Sequence, residues 1–322
     1  MNSGDLRVGV IGAGGISAAH LRGYRANGAT IAAVADVDLA RARARADEYG
    51  GAAYADYREM LEREHLDAVS ICAPPNVHRD AALAAIARGL PVLCEKPLAR
   101  TVEEGREMVA AAELAGTIFQ TAFCHRFHGP IIGLKQLIDE GALGEPVAFR
   151  NRFGGHPRGI ERSWFVQPEI SGGGVLLDNG VHSVDLFRHL CGEVASATAR
   201  TRTVLPGLRV EDTVALLLVA TGGAIGTIEL SYAAPVSDNV VIVYGTAGQG
   251  VVDYDAGELR YRREVDTAWT REPAAPPDRF QREIEHFLRC VRTGERPRVD
   301  GRDGLRALEV IAEAYRSAGA VG

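Results

Sequence analysis

Three side chains of this sequence have the types needed to take a proton from an alcohol while a hydride leaves its carbon: Lys96, Asp178 and His182. That reaction needs a base for the hydroxyl proton, and a cation or donor to stabilise the developing alkoxide. Of the 36 cationic residues, all but Lys96 and Lys135 are arginine. Lysine, unlike arginine, can lose its proton when buried or beside another cation, so a chain that otherwise prefers arginine has reason to keep lysine where that property is used. Coding bias with two surviving lysines is the bland alternative. Asp178 and His182 are spaced i, i+4, and a helix that has begun by Asp178 projects both from one face. The roles that follow are His182 as general base, Asp178 as its orienting partner and a ligand of a substrate hydroxyl, and Lys96 as the holder of the reacting oxygen. Which of Lys96 and His182 formally takes the proton stays open. The alternative for the pair is a helix cap at Asp178 with a core histidine at His182.

A hydride needs an acceptor, and Gly12-Ala13-Gly14-Gly15-Ile16-Ser17 is placed to bind one. It follows an apolar β-branched run and opens a helical period. In G-x-G-x-x-G the first glycine permits the tight turn, the second lets the backbone approach a pyrophosphate, and the third brings helix and strand together. Ser17 takes the third place, small but not glycine. The helix N-terminus adds free N–H groups and a positive dipole end. Asp36, roughly twenty residues beyond, is placed to accept hydrogen bonds from ribose hydroxyls and to repel a 2′-phosphate, which favours NAD over NADP. Arg41, Arg43 or Arg45 can compensate if one points back. Asp36 as a helix N-cap is the competing reading, a role that Asp38 serves equally. Asp178 and His182 could also ligate a metal, with Cys124, His125 and His128 as further ligands. No metal is expected, because the cofactor already supplies the redox chemistry.

Positioning these groups requires a doubly wound parallel sheet. Leu6–Ile11, Thr30–Ala35, Ala68–Cys72, Pro91–Cys94 and Thr117–Thr121 read as strands, alternating with helical segments near 18–26, 39–49, 57–64, 79–88 and 102–115. Lys96 then lies at the carboxyl end of a parallel strand, where such sheets bind ligands. After about residue 125 a helix near 131–140 leads into Gly- and Pro-punctuated alternating runs. Thr213–Ala220 and Ile225–Tyr232 flank the hairpin signal Thr221-Gly222-Gly223, and Asn239–Tyr244 turns toward Val251–Tyr254. A helix near 181–190 and two more near 279–292 and 304–317 complete the pattern. The expectation is α/β: a dinucleotide-binding Rossmann domain over 1–125, and over 126–322 an α+β domain on a largely antiparallel open sheet for substrate binding and oligomerisation.

Composition narrows the partners. The chain has 322 residues, 46% apolar and 24% charged, the balance of a soluble globular protein. Its formal charge of −6 argues against nucleic acid or an anionic membrane surface held by bulk electrostatics. Five scattered cysteines without a CxxC pair do not make a disulfide framework, and no export signal or membrane span is visible, so a cytoplasmic protein with reduced thiols is expected. Arg150, Arg152, His156, Arg158 and Arg162 form a local basic cluster. It reads as a solvated strand face with salt bridges, or as a binder of an anionic substrate group. Trp164 is a platform for a sugar ring or a lid over the core, and Arg126 and His156 are substrate-side candidates.

Three motifs in this order, Gly12–Ser17, Glu95-Lys96-Pro97, and Gly172-Gly173-Gly174 leading to Asp178–His182, carry a resemblance to the glucose–fructose oxidoreductase, inositol dehydrogenase and MocA family of nicotinamide-dependent oxidoreductases. Pro74-Pro75-Asn76-Val77-His78 is similar to the family's cofactor loop. The resemblance implies hydride transfer between NAD and a secondary hydroxyl of a sugar, sugar derivative or cyclitol, with the lysine and histidine both bonded to the reacting hydroxyl. It implies cofactor contacts from Gly12, Gly14, Gly15, Ile16, Asp36, Ala73, Pro74, Asn76, His78, Glu95 and Lys96, and a homodimer or homotetramer built on the open sheet face. A redox-neutral enzyme that oxidises a ring carbon transiently, or a non-catalytic NAD-sensing regulator, are the rival readings.

Overall fold

The computed structural model describes residues 5–236 and 238–319. Two compact units emerge, one of residues 1–124 with 277–305 and one of residues 125–276 with 306–322. The first holds β1 (Arg7–Ile11), α1 (Ser17–Ala26), β2 (Thr30–Ala35), α2 (Leu39–Tyr49), β3 (Ala52–Tyr54), α3 (Tyr57–Arg63), β4 (Ala68–Ile71), α4 (Pro75–Ile86), β5 (Val92–Cys94), α5 (Val102–Ala115) and β6 (Phe119–Thr121). The six strands are parallel in the order β3-β2-β1-β4-β5-β6, the doubly wound arrangement expected from the alternating runs. Strand interiors such as Val8, Val10, Ile31, Val34, Val69 and Leu93 are buried, because a parallel sheet is covered on both faces. β3 is too short for periodicity to reveal. α4 starts at Pro75, four residues earlier than its helical period suggests, because proline at the first turn presets φ and loses no hydrogen bond there.

The second unit contains α6 (Gly129–Asp139), β7 (Pro146–Gly154), two short helices α7 (Pro168–Ser171) and α8 (Val175–Asp178), and α9 (Gly180–Cys191). Seven strands follow: β8 (Val194–Arg202), β9 (Thr213–Ala220), β10 (Ile225–Ser231), β11 (Val240–Gly245), β12 (Gly248–Asp253), β13 (Glu258–Arg263) and β14 (Thr270–Pro273). They form one sheet with β7, ordered β14-β13-β12-β11-β7-β10-β9-β8, antiparallel throughout except for β7 against β10. The expected hairpin joins β9 to β10. Phe149 and Phe187 meet edge to face under this sheet, and Gly226 admits Phe187, since a Cβ there would lie 2.7 Å from its ring.

One expectation drawn from chain order changes. The helix α10 (Arg279–Thr293), read as part of a second domain running from 126 to 322, belongs to the first unit. Its apolar residues Ile284, Phe287 and Leu288 join the core of Leu21, Tyr24, Ile31 and Leu93. Gly23 makes the crossing with α1 possible, because a Cβ there would stand 2.8 Å from Ile284. The last helix, α11 (Gly301–Ser317), begins three residues earlier than its periodicity suggests. Among the described residues no helix is long and apolar enough to cross a membrane.

Candidate active site

In the first unit the candidate residues gather at the carboxyl edge of the parallel strands: the glycine loop after β1, Asp36 after β2, Ala73 and Pro74 after β4, and Lys96 after β5. Gly12 has φ of +95°, and a Cβ there would lie 2.5 Å from the Ala73 nitrogen, so conformation and close packing both demand glycine. Gly14 and Gly15 differ, because a Cβ on either would meet nothing within 4 Å. Their bareness serves no neighbour in the fold and leaves open space at the start of α1. That helix has no side-chain cap and no acidic residue in its first turn. Ser17, in the third glycine's place, is buried and donates its hydroxyl to Gly14 O at 2.6 Å, closing the loop. An uncapped helix start beside uncovered backbone fits a pyrophosphate.

Asp36 accepts from Ala13 N–H at 2.7 Å and from Asp38 N–H at 2.8 Å, which places its carboxylate against the glycine loop. Asp38 is the N-cap of α2, accepting from the amides of Ala40 and Arg41, so Asp36 is spared that role. Of the three neighbouring arginines, Arg41 pairs with Asp38, while Arg45 pairs with Glu48 and reaches Gly14 O at 3.5 Å. Val37 is 96% exposed beside this carboxylate. An apolar side chain so placed suits a flat ring, and sequence pattern alone gave no signal for it.

Lys96 is half-buried, and its peptide bond to Pro97 is cis. Glu95 is buried and turns back so that its Oε2 accepts the Lys96 N–H at 3.1 Å. His78 is fully buried, with Nε2 2.8 Å from Ala73 O and Nδ1 2.9 Å from Pro97 O. The ring spans the loop after β4 and the loop after β5, and burial lowers its pKa against the pull of these carbonyls. Pro74 precedes α4 without a side-chain cap bond, and Asn76 is exposed in the helix's first turn.

In the second unit the triple glycine is a cradle. Glu211 accepts from Gly174 N–H at 3.1 Å, from Leu176 N–H at 3.0 Å and from the Tyr315 hydroxyl at 2.8 Å. A Cβ on Gly174 would lie 2.0 Å from Glu211 O, and one on Gly173 would lie 2.4 Å from the Tyr315 hydroxyl. Burial raises the Glu211 pKa against the pull of these donors. The carboxylate fixes the start of α8, whose last residue is Asp178. The helix breaks after it: α9 starts at Gly180, and His182 N–H bonds to Asn179 O at 3.1 Å. Asp178 and His182 thus sit on consecutive helices instead of one continuous face. The Tyr232 hydroxyl donates to Asp178 Oδ2 at 2.5 Å, and burial together with this carboxylate pushes the phenol pKa well up. The buried His182 ring lies 4.3 Å from that of His125, whose Nδ1 is 2.8 Å from the Tyr254 hydroxyl. Tyr232, Glu211, Tyr315 and Tyr254 were not legible as site residues, because each arrives from a strand, loop or helix far along the chain.

The remaining substrate-side candidates separate. Arg126 forms a two-point ion pair with the buried Asp185, Nε to Oδ2 at 2.8 Å and a terminal nitrogen to Oδ1 at 2.5 Å, and so anchors α9. His156 is exposed, its Nδ1 2.9 Å from Tyr232 O. Trp164 is half-buried and stacks on Phe165 at 3.9 Å. The basic cluster divides as well: Arg150 pairs with Glu229 at 3.8 Å and Arg152 with Asp238 at 2.6 Å on the sheet, while Arg158 is exposed in the following loop. Both strand arginines are thus held in ion pairs.

Residues 6–123 match the model of the oxidoreductase family with NAD-binding Rossmann fold, and residues 131–251 match the GFO/IDH/MocA C-terminal domain. The chain is 33% identical to a D-xylose 1-dehydrogenase (NADP(+)) of Haloferax volcanii, over 97% of each chain. It is 30% identical to a D-apiose dehydrogenase of Paraburkholderia graminis, over 96% of this chain and 86% of that one. Among solved structures, a levoglucosan dehydrogenase in complex with NADH and levoglucosan superposes with a TM-score of 0.93 at 25% identity, covering 98% of both chains. A glycine loop left open at an uncapped helix, two matching domain models and relatives aligned end to end agree: the chain belongs to the GFO/IDH/MocA family of nicotinamide-dependent oxidoreductases.

Proposed function

We propose that this protein is a dehydrogenase that moves a hydride between NAD and a secondary hydroxyl, or the corresponding ketone, of a sugar, sugar derivative or cyclitol. The observation that carries the reading is the pair Gly14 and Gly15, whose missing side chains answer to no neighbour within 4 Å beside the uncapped α1. The bound nicotinamide supplies the hydride acceptor. Backbone N–H groups of the loop and of α1 hold the pyrophosphate, and Ala73, Pro74 and Asn76 border the same strand edge. Lys96 holds the reacting oxygen and stabilises its negative charge as it develops. His182 takes the hydroxyl proton, and Asp178, steadied by Tyr232, binds a substrate hydroxyl and keeps the imidazole oriented. His156 and Trp164 are the substrate-side contacts, with Arg126 acting through α9.

Asp36 supports NAD over NADP, since a carboxylate bonded to the loop disfavours a second phosphate at that point. Arg45, close to Gly14 O, is the residue that would favour NADP, and the Haloferax volcanii relative is named for NADP. The test crosses NAD+ and NADP+ with D-xylose, D-apiose, levoglucosan and inositols, following reduced-nicotinamide absorbance in the parent and in Lys96→Ala. The expected result is NAD+ reduction with at least one polyol, lost by a factor of about 10³ or more in Lys96→Ala while NAD+ affinity holds. Undiminished turnover in that variant removes Lys96 from the mechanism.

A further inference from the structure

Lys96 follows the end of β5 and has no helix or strand of its own to hold it. The chain around it is nevertheless pinned: Glu95 N–H donates to Ile71 O at 2.9 Å, and Ala122 N–H donates to Cys94 O at 2.8 Å. The remaining freedom is rotation of the peptide that carries Lys96, and Glu95 Oε2 stops it by accepting the Lys96 N–H. Glu95 Oε1 lies 2.9 Å from His20 Nε2, and His20 Nδ1 lies 2.7 Å from Ser70 Oγ. His20 is 1% exposed, Ser70 fully buried and Glu95 7% exposed. This chain of contacts joins α1, β4 and the loop after β5 through a low-dielectric interior, where a fully satisfied polar network is rigid.

We infer that His20 is a positioning residue for Lys96, acting through the Glu95 carboxylate, so that the helix whose N-terminus receives the cofactor also sets the peptide of the catalytic lysine. The inference rests on the role given to Lys96 above. The electrostatics agree. Burial alone would lower the His20 pKa, yet the Cys72 sulfur and the Glu95 carboxylate outweigh it and raise the pKa well above its usual value. The raised pKa favours the contact of the ring with Glu95, and a carboxylate held at 2.9 Å by a buried ring has no reason to turn toward water and release the Lys96 amide. A neutral amide of similar reach would keep the hydrogen bond to Glu95, and a methyl group would not.

The experiment compares His20→Ala, His20→Gln, Ser70→Ala and Lys96→Met in the full chain, using whichever of D-xylose, D-apiose, levoglucosan or myo-inositol reduces NAD+ fastest in the parent. NAD+ affinity, kcat, KM and the primary deuterium isotope effect are read below the melting temperature of each variant. His20→Ala is expected to lower kcat by about 10–100-fold, with KM and NAD+ affinity within about threefold and a larger isotope effect, and His20→Gln to restore most of the loss. A folded His20→Ala with kcat within about twofold of the parent, or a glutamine no better than alanine, overturns the inference. If His20→Ala does not fold, Ser70→Ala decides: it loosens the ring without unpairing Glu95, a several-fold fall in kcat supports the inference, and no fall overturns it. Lys96→Met separates the two levels. Parent-like turnover there removes the premise, whereas an inactive Lys96→Met beside a fully active His20→Ala removes only the positioning role.

Discussion

At the scale of single residues, the arrangement around Asp178 shows a carboxylate prepared by its neighbours. An isolated carboxylate half out of water is free to rotate and to bond solvent. Here Tyr232, itself 3% exposed, donates to one oxygen at 2.5 Å and so fixes the carboxylate's orientation. A hydrogen bond to a charged acceptor is worth about 1.5–3 kcal/mol, which corresponds to roughly a 10–100-fold change if it acts in the transition state. Tyr232→Phe is accordingly expected to lower kcat/KM by about 10–100-fold with NAD+ affinity unchanged. Steady-state kinetics beside an NAD+ titration tests this, and a fall in NAD+ affinity of the same size would assign Tyr232 to general architecture instead of to Asp178.

At the scale of elements, two glycines of one loop obey opposite constraints. Gly12 has positive φ and backbone within 2.5 Å of a hypothetical Cβ, so Gly12→Ala is expected to destabilise the fold by about 3 kcal/mol or more. Gly14 has open space around it, so Gly14→Ala is expected to leave the melting temperature unchanged while weakening NAD+ binding by about tenfold, or ~1.4 kcal/mol. Melting curves with and without NAD+ separate the two, and equal destabilisation by both would mean the loop is only a turn. Such elements were legible in sequence because their signals are local: β-branched runs, the glycine loop, and Asp36 and Asp38 spaced so that one caps and one is spare. The rest depended on contacts distant in sequence. Nothing near Gly172–Gly174 announces that Glu211 and Tyr315 fill the space where side chains would be. The assignment of α10 to the first unit depends on Ile284 meeting Gly23, which no window of periodicity contains. The arginine-bearing strands β8 and β13 escaped because charged residues on the outer face mask the alternation that defines them.

At the scale of the whole molecule, acid stability and assembly both follow from which groups the fold leaves without water. His286, in α10, is 5% exposed, with Nε2 3.0 Å from the Arg298 N–H and Nδ1 2.7 Å from an Arg289 nitrogen. Burial and these two arginines push its pKa down to about 4. The unfolded chain therefore binds a proton that the folded chain refuses between pH 6.5 and about 4, and stability present above that window is lost as pH falls through it. The loss is on the order of 3 kcal/mol, and denaturant midpoints measured across the window should drop less in His286→Gln. The assembly expected for this chain would use the eight-stranded sheet. Register places Leu217 opposite Thr227 and Ile225 opposite Ala148, with Tyr244 opposite Ala148 on the other side, so these outward residues share one face. Leu217 is 44%, Ile225 49% and Tyr244 37% exposed, while their strand neighbours Leu216, Leu218, Ile228 and Val243 are buried. We propose that a second copy of the chain covers this face, and a stable interface of that kind buries about 1,200–2,000 Å². The expected mass in solution at micromolar concentration is two or four chains. Leu217→Asp with Ile225→Asp should reduce it to one chain with little change in the melting temperature of the separated subunit, because both side chains already face water there. Light scattering on a sizing column reads the result, and a monomeric parent, or a double variant of unchanged mass, would rule out this face as the interface.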